Sequence, residues 1–189
     1  MIPLGILAAA GGAAAAGSYD LLATEILTTS QASVTFASLG DYAADYQHLQ
    51  IRYNVRTDRT NNLDGVTLKI NGDTANNYSH HRLLGYGSVG SFAAANVGFI
   101  YLGLCPDASS TTNTFGAGVA DILDAFETTK YKTVRTLGGT AHPTDPYVSL
   151  TSGAWRDTSS LTSLTVDQTT GPNFVTGSRF SLYGIRKAA

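Results

Sequence analysis

The sequence predicts an all-β protein: a two-sheet antiparallel sandwich, of jelly-roll type, carried behind an extended N-terminal arm. Three observations support this. Charged residues are 14% of the 189, and Glu25 and Glu127 are the only glutamates, so the Glu/Lys dressing of helix surfaces is missing. Thr, Val, Ser and the 10 tyrosines recur in period-two patterns that suit half-buried sheet faces. Turn signals punctuate the chain at short spacing, with no βαβ alternation, internal repeat or linker. By length the chain forms one domain, 19–189, with residues 1–18 as the arm.

The arm, MIPLGILAAAGGAAAAG over Met1–Gly17, has no charged residue. It has too little side-chain volume to build a core, so its order is expected to come from another part of the chain, another subunit or a larger assembly. A secretory signal peptide is the competing reading. It lacks a basic n-region, because the first positive side chain is Arg52. We read a docking arm, with Ile2, Leu4, Ile6 and Leu7 as its anchors because they hold nearly all its apolar area.

Strands are expected at Leu21–Leu27 and Ser33–Phe36, around Thr28–Ser30. The clearest is Gln47–Arg56. There Leu49, Ile51, Tyr53 and Val55 alternate with Gln50, Arg52, Asn54 and Arg56, one buried face and one wet face. After a polar loop, Thr57–Asp64, the residues Val66, Leu68 and Ile70 alternate into Asn71-Gly72-Asp73, which reads as a tight hairpin turn. Further strands are expected at Tyr78–Tyr86, Val97–Leu104, Phe115–Leu123, Tyr131–Leu137, Val148–Trp155, Leu161–Val166 and Phe174–Arg186. Asp107–Thr114 and Thr140–Pro146 read as loops, and Leu123–Lys130 offers a helical turn or two.

Candidate chemistry is sparse. His80 and His81 are neighbours on a strand, so they point to opposite faces and cannot chelate one ion; His48 and His142 stand elsewhere. Asp58, Asn61, Asn62 and Asp64 before Gly65 resemble a calcium loop but lack the fixed offsets and the closing Glu of an EF-hand. A solvated loop of turn formers is the better account. Asp121, Asp124 and Glu127 sit at a strand end entering a turn, where Asp commonly caps, rather than facing each other across a cleft. There is no nucleophile elbow, no phosphate loop and no His near Cys105 in sequence. No enzymatic activity, metal or cofactor is therefore expected.

A net charge of −2 with no basic block argues against a nucleic-acid surface. No apolar run reaches the ~18–20 residues of a membrane helix. The single cysteine, Cys105, excludes an internal disulfide. Tyr46, Tyr53, Tyr78, Tyr86, Tyr101, Tyr131, Tyr147, Trp155 and Tyr183 leave a carbohydrate site open, although sheet tyrosines more commonly serve as core or subunit contacts.

Several short stretches occur in a recognisable order: His48-Leu49-Gln50-Ile51-Arg52, Ile70-Asn71-Gly72-Asp73, Asn77-Tyr78-Ser79 with His81, and Asp121-Ile122-Leu123-Asp124. They are followed by Lys130-Tyr131-Lys132-Thr133-Val134-Arg135, Ser152-Gly153-Ala154-Trp155-Arg156 and Leu182-Tyr183-Gly184-Ile185. On these pieces the chain from Tyr46 to Arg186 resembles a family of small β-rich virion structural proteins of tailed bacteriophages and prophages. The resemblance implies a virion component and carries over no catalytic residue.

The expectation is thus a structural virion protein on the particle exterior, a capsid decoration (cement) protein first and a tail or baseplate protein second. Its partners would be the major capsid protein or a tail protein, together with copies of itself, as a trimer. A receptor-binding, carbohydrate-binding sandwich that takes a surface glycan is the alternative.

Overall fold

The computed structural model describes residues 18–61, 63–141 and 146–188. The anchors Ile2, Leu4, Ile6 and Leu7, together with Asn62 and His142, lie outside them. Twelve strands form: β1 (Tyr19–Ile26), β2 (Ser33–Phe36), β3 (Tyr46–Val55), β4 (Leu63–Ile70), β5 (Tyr78–Tyr86) and β6 (Ser88–Val97), then β7 (Ile100–Pro106), β8 (Gly116–Leu123), β9 (Lys132–Thr140), β10 (Tyr147–Trp155), β11 (Leu164–Gln168) and β12 (Arg179–Arg186). They make an eight-stranded sheet, β1-β12-β3-β8-β9-β10-β5-β6, and a four-stranded sheet, β2-β11-β4-β7. Every pairing is antiparallel. The all-β, two-sheet antiparallel sandwich is as the sequence predicts, while the strand order leaves the jelly-roll connection unestablished.

The core lies between the sheets. Leu49, Ile51, Tyr53 and Val55 of β3 face it, as their alternation requires, and meet Val66, Leu68 and Ile70 of β4 and Ile100 and Leu102 of β7. Tyr53 stands on β3 directly opposite Gly118, which in turn pairs with Gly138. A Cβ on Gly118 would lie 2.2 Å from the Tyr53 ring, so the ring fills space that only glycine leaves. The Tyr53 hydroxyl then donates to the Leu102 carbonyl across the sandwich at 3.3 Å.

Three local expectations change. The Asn71-Gly72-Asp73 turn forms, with φ of 55° and 66° at its first two residues, but it does not close a hairpin. It carries the chain from β4 in the small sheet to β5 in the large one. Asp73 there accepts hydrogen bonds from Ala75 N, Asn77 Nδ2 and Trp155 Nε1, at 2.7–2.8 Å. Leu123–Lys130 is a non-helical turn, with Asp124 at φ 48°; the short helical element is a 3-10 turn at Leu39–Tyr42. Strand β6 was not legible in the sequence at all: SVGSFAAANV is Ser, Gly and Ala for six of its ten positions, residues of low strand propensity.

Candidate interaction surface

Loop carboxylates and buried basic side chains carry the chemistry the sequence offers. Asp64 is a fully buried residue of β4 rather than a solvated loop residue. Its oxygens accept hydrogen bonds from the amides of Gly65, Thr170 and Gly171, and Arg59 stands 3.7 Å away. Asp58 accepts from Asn173 N and Nδ2. Asp107 accepts from Asn61 N and from the amide and hydroxyl of Ser109. Burial works against ionisation of Asp107, but these donors outweigh it and hold its carboxyl below the ordinary value. All three carboxylates therefore point at amide and hydroxyl donors of neighbouring loops, which is what staples a loop rather than what wraps a cation. No group of three or more His, Cys, Asp or Glu side chains is arranged to hold a metal among the described residues.

The second acidic group is also structural. Asp124 takes an ion pair from Lys130 at 2.6 Å and a hydrogen bond from Gln47 Nε2 at 2.9 Å, and its amide donates to His48 Nδ1. The donated bonds from Lys130 and Gln47 lower its pKa. Asp121 instead accepts from Gln50 Nε2 on the outer sheet face. Glu127 offers its backbone carbonyl to the fully buried Lys132 ammonium, which also reaches the carbonyls of Lys130 and Thr158. Desolvation pushes the Lys132 pKa down. The three acids are thus dispersed, each holding a different contact.

His80 and His81 do face opposite sides. His80 is buried against the Phe99 and Tyr101 rings, and His81 is exposed on the outer face. Burial and then the Arg82 charge hold His80 below its ordinary pKa, which keeps it neutral at pH 7. The Arg82 guanidinium lies 3.9 Å from the centre of the Tyr101 ring. Most of the aromatics are core: Tyr46, Tyr53, Tyr78, Tyr101, Tyr147 and Trp155 are buried. Exposed Tyr19, Tyr86 and Tyr131 fall on three separate elements and form no sugar-stacking cluster.

What the sequence did not reveal is the outer face of the large sheet. On β3 that face is polar, as its alternation predicts, with Arg52 and Asn54 exposed but Gln50 buried. Gln50 and Arg52 hydrogen-bond there at 2.8 Å, and Arg52 stacks over Tyr183 of β12 at 4.7 Å. Further along, the same face turns apolar. Val119, Leu137, Leu150 and Leu83 stand directly opposite one another across β8, β9, β10 and β5. The next row is Ala117, Gly139, Val148, Gly85 and Val89. Leu83, Leu137, Val148 and Leu150 are 52–55% exposed and Val89 is 80% exposed. The small residues of the second row leave a shallow trough of about 1180 Å³ along it, ending near Arg52. A Cβ on Gly139 would lie 2.7 Å from the Tyr147 carbonyl, so the trough's floor cannot fill in. Polar neighbours rim the patch: Arg135 beside Asp121, and His81 beside Ser152. A pattern of aliphatic centre and polar rim is that of a protein-contact surface.

The class defined by these features is a strand-built domain with stapled loops and a flat apolar outer face. No protein-family model, curated protein or solved structure matches this chain.

Proposed function

We propose that this protein is a structural component of a tailed-phage virion, a capsid decoration protein whose uncharged N-terminal arm docks onto the particle. The observation that carries an assembly role is the broad, flat aliphatic face on a domain whose loop carboxylates are committed to holding its own loops. Such a surface suits a static contact repeated many times, where avidity lets each contact be modest. Two further features support the virion reading: the resemblance of its sequence motifs to those of phage structural proteins, and an arm, residues 1–17, without a single charge. Small residues let an arm backbone approach a partner closely and hydrogen-bond along an edge, while Ile2, Leu4, Ile6 and Leu7 supply the anchoring apolar area.

Deleting residues 1–17 tests the proposal. The shortened protein should fold, because β1 begins at Tyr19 and, among the described residues, the core cluster and the side chains packed on it begin at Leu22. It should be missing from purified particles. Normal incorporation of the shortened protein overturns the docking-arm reading. Separating heads from tails then places the full-length protein: recovery with heads supports decoration, and recovery with tails moves it to the tail.

A further inference from the structure

We propose that the outer face of β8-β9-β10-β5-β6 is covered by a second copy of this chain; this deepens the assembly reading above by naming the partner of that face. Leu83, Val89, Leu137, Val148 and Leu150 leave roughly 500 Å² of apolar surface open, at about 100 Å² each. That reaches the upper part of the ~300–600 Å² found for the largest patch on an ordinary monomer. Exposed Ala93 and Ala117, half-buried Val119 and the glycine backbone bring the face toward the ~800 Å² per partner that a stable interface buries.

Charge argues for a like partner. The two apolar rows carry no ionisable side chain, so two copies meet there without repulsion despite the chain's net charge of −2. The rim holds both signs, with Arg52 and Arg135 alongside Asp121, so one copy's rim offers partners for another's. A lipid surface would call for a one-signed basic rim, which is not what surrounds the patch.

The adjoining sheet edge fits the same partner. Strand β6, Ser88–Val97, is the edge of the large sheet among the described residues, ten residues long with no charge and no proline. Seven of its ten residues are exposed. Edge strands are ordinarily protected from pairing by charges, proline or cover. A bulge at Asn96, with φ 57°, interrupts the edge near its end, but Ser88–Ala95 beside the aliphatic face carry no such device and are left for an assembly to cover. The arm is a poorer occupant: it joins the sheet at β1, the opposite edge, and its four large aliphatics cannot cover a face about 20–24 Å wide across five strands.

Sedimentation velocity on the purified full-length protein, with Leu150→Arg and Leu83→Lys variants, tests this. Both side chains are more than half exposed, so each substitution leaves the core untouched, and far-UV circular dichroism and the melting temperature check the fold. The expected result is an oligomer for the parent protein and a shift to monomer at least tenfold more favourable in each folded variant. A chain lacking residues 1–17 should remain oligomeric. A monomeric parent, or an oligomer that survives both substitutions, overturns the proposal. Dissociation on removing the arm overturns it too, and shows that the arm is the glue. Particle incorporation is read separately, so a failed oligomer test leaves the docking-arm reading standing or falling on its own assay.

Discussion

Replacing Trp155 with Phe should cost about 3–4 kcal/mol, and the size follows from two local terms. Trp155 is 2% exposed, stacked on Tyr78 at 6.3 Å, and its Nε1–H donates to the Asp73 carboxylate at 2.7 Å. Losing a hydrogen bond to a charged group costs about 1.5–3 kcal/mol. Shrinking the ring in a packed core adds about 1–2 kcal/mol for lost contact and residual cavity. In a domain of this size the melting temperature should fall by about 10 °C. Urea unfolding followed by far-UV circular dichroism is the assay, because Trp155 is the only tryptophan and its loss silences fluorescence. A cycle with Asp73→Ala isolates the bond, with an expected coupling of about 1–2 kcal/mol. The pH dependence gives a second check. Burial works against ionisation of Asp73, but its bonds from Trp155, Ala75 and Asn77 outweigh this and lower its pKa. A lowered folded pKa means stability that is present above the ordinary carboxylate range and lost as pH falls through the folded value. Trp155→Phe should therefore flatten the acid limb of the stability curve. A loss below 1 kcal/mol, or zero coupling to Asp73, would refute the hub reasoning.

Other consequences are equally direct. Gly118→Ala should destabilise by about 2–3 kcal/mol by forcing a methyl into the Tyr53 ring, whereas Gly40→Ala, with nothing within 4 Å, should be neutral; equal effects would discard the ring-over-glycine account. Cys105 is fully buried and desolvation raises its thiol pKa, so Ellman's reagent should label it only after denaturant is added, and rapid labelling of the native protein would contradict that packing. Asp107→Asn should lower stability at pH 7 and reduce the loss seen as pH falls through and below the ordinary carboxylate range, because the parent carboxyl is held below its ordinary value; an unchanged acid limb would count against it. EDTA should leave the melting temperature unchanged, since Asp58, Asp64 and Asp107 already receive amide and hydroxyl donors; a large drop would restore the calcium loop.

Much of the sandwich is legible in the sequence because one-sided burial writes a period of two. β3 shows this best: its alternation predicts which four side chains are core, and β2 and β5 form over the predicted residues. Where the physics is not local, reading fails. Asn71-Gly72 signals a turn but not which sheet the next strand joins, so a connector between sheets reads as a hairpin. Asp64 looks like a loop acid because the amides that receive it, at 170 and 171, lie over a hundred residues away. β6 has no alternation to find, since it is exposed on both faces and built from Ser, Gly and Ala. The aliphatic outer face was hidden for another reason. Leu137, Leu150 and Leu83 are single apolar residues on three separate strands, and only the register of β9, β10 and β5 aligns them into a row.

As proposed, this protein is an assembly component held by its arm. Mapping the contacts of residues 1–17 in intact particles, by electron cryomicroscopy or by crosslinking from Met1, tests it most directly. Ile2, Leu4, Ile6 and Leu7 are expected to lie against a different particle protein while the sandwich faces outward. Arms that touch only identical copies, or a protein absent from purified particles, would contradict it.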